Sequence, residues 1–289
     1  MFDAANWTAD PALGWVLCAA VLYRLGGRRS ARARPSAVER WRTASFVAGL
    51  GTIFVALASP IHQLSEELLW VHMVQHILLV LVAPPLLALA RPWNRMWHGL
   101  PLDFRRSTAR AAIQDSRFAP LRRIVRLLGE PVPSWLLFSF TFLAWHLPAA
   151  YDATLRLQPV HLLEHATFFG TALLFWTRVI DSPPWRSALS DVGRATYVGL
   201  ALVVSWVLAI VLALATSPLY APYAAQPSRP GGISALSDQH LAAGMMWVPG
   251  SIPFTIVILF LAYRWLQAND PERRPAGVRT TDSRDLAPG

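Results

Sequence analysis

Two histidine pairs carry the chemistry in this chain. His72 and His76 lie in Trp70-Val71-His72-Met73-Val74-Gln75-His76, and His161 and His165 lie in His161-Leu162-Leu163-Glu164-His165. On a helix, side chains four apart project from nearly one face, about 40° apart around the axis and about 6 Å along it. Each pair opens a long apolar run. Neutral imidazole ligates zinc, copper, iron and nickel. Two matched pairs, with further histidines near them, point to a metal or a haem; hydrogen bonding between helices is the plainer alternative.

The elements that must hold these residues are membrane spans. Of 289 residues, 54% are hydrophobic and 15% charged, too apolar for an ordinary soluble domain. The apolar runs at 11–25, 43–59, 68–90, 133–150, 159–180, 193–216 and 239–267 predict an all-α polytopic membrane protein of seven transmembrane helices, the first being short. The membrane domain is expected to fill residues 1–268, with a basic loop at about 91–131 and a disordered polar tail at 269–289. The start, Met1 to Asp10, lacks the basic region of a signal peptide, so the first span is expected to insert uncleaved.

Arginine sets the orientation. The net charge is +9, and every one of the 26 basic residues is arginine. They crowd the loops after the first and third runs (Arg28 to Arg42, Arg91 to Arg126) and the tail, while the alternate loops hold Arg156 and Arg229 alone. This pattern predicts the N-terminus outside and the C-terminus inside, and it accounts for the charge without nucleic acid. The basic loop is expected to hold an amphipathic helix on the inner surface, with Val125, Leu127 and Leu128 toward lipid. Lysine is absent, which excludes Schiff-base chemistry and a retinal protein. Cys18 stands alone, so no internal disulfide forms, and it reads as a packing residue. There is no phosphate-binding loop and no nucleophile elbow.

With that orientation, His62, His72, His76, His146, His161, His165 and His240 all fall at outer span ends or in outer loops, and His98 alone lies inside. Glu66, Glu67, Asp152, Glu164 and Asp238 share their layer. Some of these carboxylates are candidate ligands, and others are candidates to accept the second ring N–H of a ligating histidine. Intramembrane ionisable groups are costly and point to function. Met73, Met245 and Met246 lie near the same level, and thioether favours Cu(I), whereas Glu164 suits a harder ion. Copper leads on donor type. Elsewhere, Pro84-Pro85 is expected to break the third span, its freed carbonyls satisfied by neighbouring helices, and Pro249-Gly250 to break the seventh.

His72-Met73-Val74-Gln75-His76-Ile77-Leu78-Leu79 with Ala83-Pro84-Pro85-Leu86-Leu87 resembles the CtaG family of caa-type cytochrome c oxidase assembly factors. So do Trp145-His146-Leu147-Pro148 with Tyr151-Asp152, the His161 to His165 run, and Asp238-Gln239-His240-Leu241-Ala242 with Met246-Trp247-Val248-Pro249-Gly250. The resemblance implies a multi-span protein of the bacterial cytoplasmic membrane that assists maturation of a haem–copper oxidase by supplying copper.

The leading expectation is therefore a copper-binding assembly factor, not an enzyme. His72, His76, His161 and His165 are the core ligands. His146, His240 and His62, with Glu164, Asp238 and Met246, are the further candidates. Its partners would be oxidase subunits, a periplasmic copper donor and membrane lipid. The rival is a redox protein, in which histidines from two spans hold a haem iron axially. A metal permease would want a polar path continuing inward, and the inner halves of the runs are nearly free of polar ligands.

Overall fold

The computed structural model describes residues 11, 13–29, 35–182 and 187–270. The first ten residues and the tail beyond Asp270, and with them the expectations for the N-terminus and for tail disorder, lie outside the described residues. Among those described, the fold is all helical, and each of the seven apolar runs forms a helix or a broken helix. These are α1 (Leu13–Arg29), α2 (Ala37–Ala58), α4 with α5 (Leu69–Ile77, Ala83–Ala90), α9 (Pro131–Trp145), α11 (Gln158–Val179), α12 (Asp191–Leu214), and α14 with α15 (Ala235–Trp247, Ser251–Ala268). Short helices fill the connections: α3 (Pro60–Glu67), α6 (Trp93–Gly99), α7 (Leu102–Gln114), α8 (Ala119–Leu128), α10 (Pro148–Arg156) and α13 (Ala221–Ala224).

Among the described residues, four segments are long and apolar enough to cross a membrane: Ala37–Ala58, Leu69–Ala90, Asp191–Leu214 and Ala235–Ala268. A fifth arises if the bent pair Ser116–Leu128 and Pro131–Trp145 is one span, although its halves meet at 83°. α1 has 17 residues and α9 has 15, shorter than the ~20 a bilayer asks for. α11 is long enough but carries His161, Glu164, His165 and Arg178.

Beside an apolar core, the protein encloses polar groups and turns large apolar side chains outward. His72, Gln75, Glu164 and Asp238 are fully enclosed, while Phe140, Val207, Leu259 and Phe260 are exposed. Exposed apolar surface on this scale is matched by lipid. The interior is built from three clusters. Phe168, Phe175, Trp176 and Phe254 form the centre of one. Tyr151, Tyr220, Tyr223, Met73 and Met246 belong to the second, and Phe46, Leu57 and Leu87 to the third.

Proline shapes the histidine helix. Pro84 has no N–H, which frees the carbonyl of Val80, and the Trp176 indole donates to it at 2.9 Å. The helix is not broken at this point. It widens into a π-helical turn, Leu78–Val82, one residue after α4, because a longer loop of chain skips the missing donors. In the last segment the break does occur, between Trp247 and Ser251. There a Cβ on Gly250 would stand 2.4 Å from the Met246 carbonyl, so glycine alone fits.

Candidate metal centre

α4 and α11 bring the two histidine pairs face to face. The N-terminus of α4 has no cap of its own, since Leu68 offers no side-chain acceptor. Asp238 on α14 supplies one: its carboxylate accepts from Leu69 N at 2.9 Å and from Trp70 N at 3.0 Å. A negative group at this position suits the helix dipole. Asp238 therefore positions the helix that bears His72, and does not join the cluster. α11 begins at Gln158 with Pro159 in its first turn, a favoured place for proline.

His72, His76, Glu164 and His165 each offer one ligand atom, all within 4.8 Å of one another, and all four residues are buried. His72 Nε2 stands 2.8 Å from His76 Nε2. The two Glu164 oxygens lie 3.7 Å from those same two nitrogens, one each. Bonds of about 2.0 Å in a tetrahedral shell put neighbouring donors about 3.3 Å apart. The observed spacings bracket that value.

Hydrogen bonds select the tautomers. The Tyr223 hydroxyl donates to the Ser65 carbonyl, so toward His72 Nδ1, 3.1 Å away, it acts as acceptor. The His72 proton is then on Nδ1 and its Nε2 presents a lone pair inward. His146 donates Nδ1–H to the Phe142 carbonyl at 2.7 Å; its Nε2 is likewise a lone pair, buried with no partner. His62 differs. Gln75 Nε2 donates to the Ala56 carbonyl at 2.8 Å and to His62 Nδ1 at 3.1 Å, which engages that ring nitrogen elsewhere.

Several polar atoms at the centre have no hydrogen-bond partner: both Glu164 oxygens, His165 Nε2 and His76 Nδ1. Leaving such groups buried and unsatisfied is expensive. A proton on the carboxyl or a cation among the four donors removes that cost. Three imidazoles and one carboxylate form a donor set suited to a borderline transition metal.

The remaining expected residues fall at different distances. The His161 ring is 4.2 Å from that of His165 and 5.5 Å from that of His72, so it adjoins the four. The His62 ring stacks on His161 at 5.9 Å. His146 lies 6.5 Å from His76 between ring centres. A small cavity, about 40 Å³, is lined by Met73, Met246, His76 and His146. His240 is exposed, with Nε2 3.2 Å from the Ala215 carbonyl; it is not brought to the cluster. Tyr223 and Ser65 were invisible to sequence reasoning, and only their neighbourhood, the tyrosine pair Tyr220 and Tyr223 beyond the sixth run, offered a signal. The Tyr151 ring, 5.2 Å from that of His72, packs against Tyr220 at 4.2 Å.

Fold and site together define a helical membrane protein with a buried histidine–carboxylate centre. The chain belongs to the cytochrome c oxidase caa3 assembly factor family (Caa3_CtaG), whose model matches residues 21–268. It is also similar to two mycobacterial proteins, one of Mycobacterium bovis and one of Mycobacterium tuberculosis, each described as an uncharacterized protein. Each is 23% identical over 264 residues, which is 90% of this chain and 39% of the relative. The chain thus spans about two fifths of the length of these curated relatives. No solved structure matches.

Proposed function

We propose that this protein binds a copper ion at His72, His76, Glu164 and His165 and delivers it to a haem–copper oxidase during assembly. In this reading the copper is cargo, and no substrate bond is made or broken. The observation that carries it is the convergence of four buried donor atoms within 4.8 Å, three of their residues holding atoms without hydrogen-bond partners. The family supplies the oxidase setting. The partners would be oxidase subunits and a periplasmic copper donor, and the location the bacterial cytoplasmic membrane.

The residues divide the work. Tyr223 holds the His72 ring with its Nε2 inward, and Asp238 fixes the start of its helix. His161 stands beside His165 as a replacement donor. His146, with Met73 and Met246, lines a cavity touching His76, a route of nitrogen and thioether donors suited to cuprous ion. We place the centre in the outer leaflet of a seven-span arrangement, N-terminus outside and C-terminus inside, because arginine is concentrated in alternate loops.

Elemental analysis and an absorption spectrum of protein purified from its own membrane test this. Copper near one per chain, lost in His76→Ala and in His165→Ala with the fold intact, is the expected result. Copper at background, or copper unaffected by both changes, overturns it. A Soret band would assign the histidines to haem instead.

A further inference from the structure

We infer that the basic loop forms a built site for one anionic phospholipid, seated between α7, α8 and the end of α11. The site is a cavity of about 650 Å³ lined by Arg122, Arg126 and Arg178, with apolar walls from Phe118, Leu121 and Val125. That volume is in the range of small-molecule sites. Glu130 is the opposing charge on its lining, leaving an excess of two cationic groups.

Arg178 gives the site its depth. It sits near the end of α11, 4% exposed, with one guanidinium nitrogen donating to the Gly129 carbonyl at 2.6 Å. Its Nε is buried without a hydrogen-bond partner. Arg122 donates from one nitrogen to the Ala112 and Asp115 carbonyls, at 3.1 and 2.8 Å, and so ties α7 to α8 across the cavity. Arg126 is exposed at its edge. Guanidinium groups converging on one cavity suit a phosphate, which accepts paired N–H bonds in the fork geometry that lysine lacks.

The fold says why the phosphate would belong to a lipid. α8 meets α9 at 83°. If α9 crosses the membrane, α8 lies along its surface. α8 carries Leu121, Ile124 and Val125 on one side, all about half exposed, Leu121 and Val125 lining the cavity and Ile124 continuing the apolar strip beyond it. Apolar side chains at i, i+3 and i+4 on a surface-lying helix dip among acyl chains while its arginines stay at headgroup level. One ligand satisfies both features, a phosphate for the arginines and an acyl chain for the apolar side.

Native mass spectrometry of the full chain in detergent, with added dioleoylphosphatidylglycerol or dioleoylphosphatidylcholine, reads the occupancy. The anionic phosphatidylglycerol should bind in preference to the zwitterionic phosphatidylcholine. Arg126→Gln should weaken it about fivefold, and the Arg126→Gln/Arg178→Gln pair more. Arg123→Gln, on the same helix but outside the cavity, should leave it unchanged. Equal binding of the two lipids, or equal losses in Arg123→Gln and Arg126→Gln, overturns the site in favour of general surface charge. Displacement by inorganic phosphate alone overturns the lipid as occupant. Arg126→Gln is independent of the Arg178 contact with Gly129, so the test survives if the paired variant fails to fold.

Discussion

The Nε2 atoms of His72 and His76 stand 2.8 Å apart, each ring buried. Because His72 donates its Nδ1–H to Tyr223, the hydrogen between the two rings can come only from His76. A cation in that position would replace the hydrogen and use both lone pairs. The His76 proton would then move to its Nδ1, a buried atom without a hydrogen-bond partner, so the pair accepts a cation by a change of tautomer.

Removing the Tyr223 hydroxyl separates ring orientation from ligand identity. Tyr223→Phe frees the His72 Nδ1–H and the Ser65 carbonyl while keeping the ring that packs on the second core cluster. Metal affinity should fall about 10–100-fold, as for other outer-shell partners of a ligating histidine. Competition with a chromophoric copper chelator measures this. Unchanged affinity would show that the hydroxyl does not orient the ring.

Glu164→Gln should act in opposite directions on the two states. The metal-free protein loses a buried carboxylate whose oxygens have no hydrogen-bond partner, so its melting temperature should hold or rise. The metal-loaded protein loses an anionic donor, and its affinity should drop. Thermal unfolding with and without copper reads both signs, and a parallel loss in both states would make Glu164 structural.

Asp238→Ala leaves the Leu69 and Trp70 amides without their acceptor. The expected cost is about 1–3 kcal/mol, with weaker copper binding because the turn bearing His72 loses its anchor. His240→Ala should change neither property, since its ring is exposed beside the Ala215 carbonyl. Copper loss in His240→Ala with no loss in Asp238→Ala would reverse these assignments.

Trp176→Phe tests the proline-made π turn. It strips the donor from the Val80 carbonyl and should destabilise by about 1–3 kcal/mol. Adding Pro84→Ala restores a backbone N–H in the same stretch and should recover part of that loss. Urea or thermal unfolding of the single and double variants gives the coupling, and strict additivity would disprove the link between the two residues.

Acid should weaken the connection after α11. Burial raises the Asp181 carboxyl, but the hydrogen bonds from Arg194 and from the Ser187 amide outweigh it and hold its pKa below the ordinary 3.8. The contribution is therefore complete above the unfolded value and disappears as pH falls through the folded one. The melting-temperature gap between wild type and Asp181→Asn should be present at neutral pH and close below about pH 4. A gap that widens in acid would contradict the sign.

Much of the site could be read from residue order. The four-residue spacing within His72/His76 and His161/His165 puts each pair on one helix face, because helical rotation per residue is a property of the backbone alone. The carbonyl freed by Pro84 follows in the same way from a missing N–H. Which groups meet across helices was another matter. Asp238 and His240 lie two apart in one helix, yet the first caps α4 in the interior and the second faces outward. Tyr223 reaches His72 across 151 positions of sequence. Local periodicity assigns a face; only the packing of α14 and α11 against α4 decides what that face touches, since such contacts depend on how several helices fill one interior together.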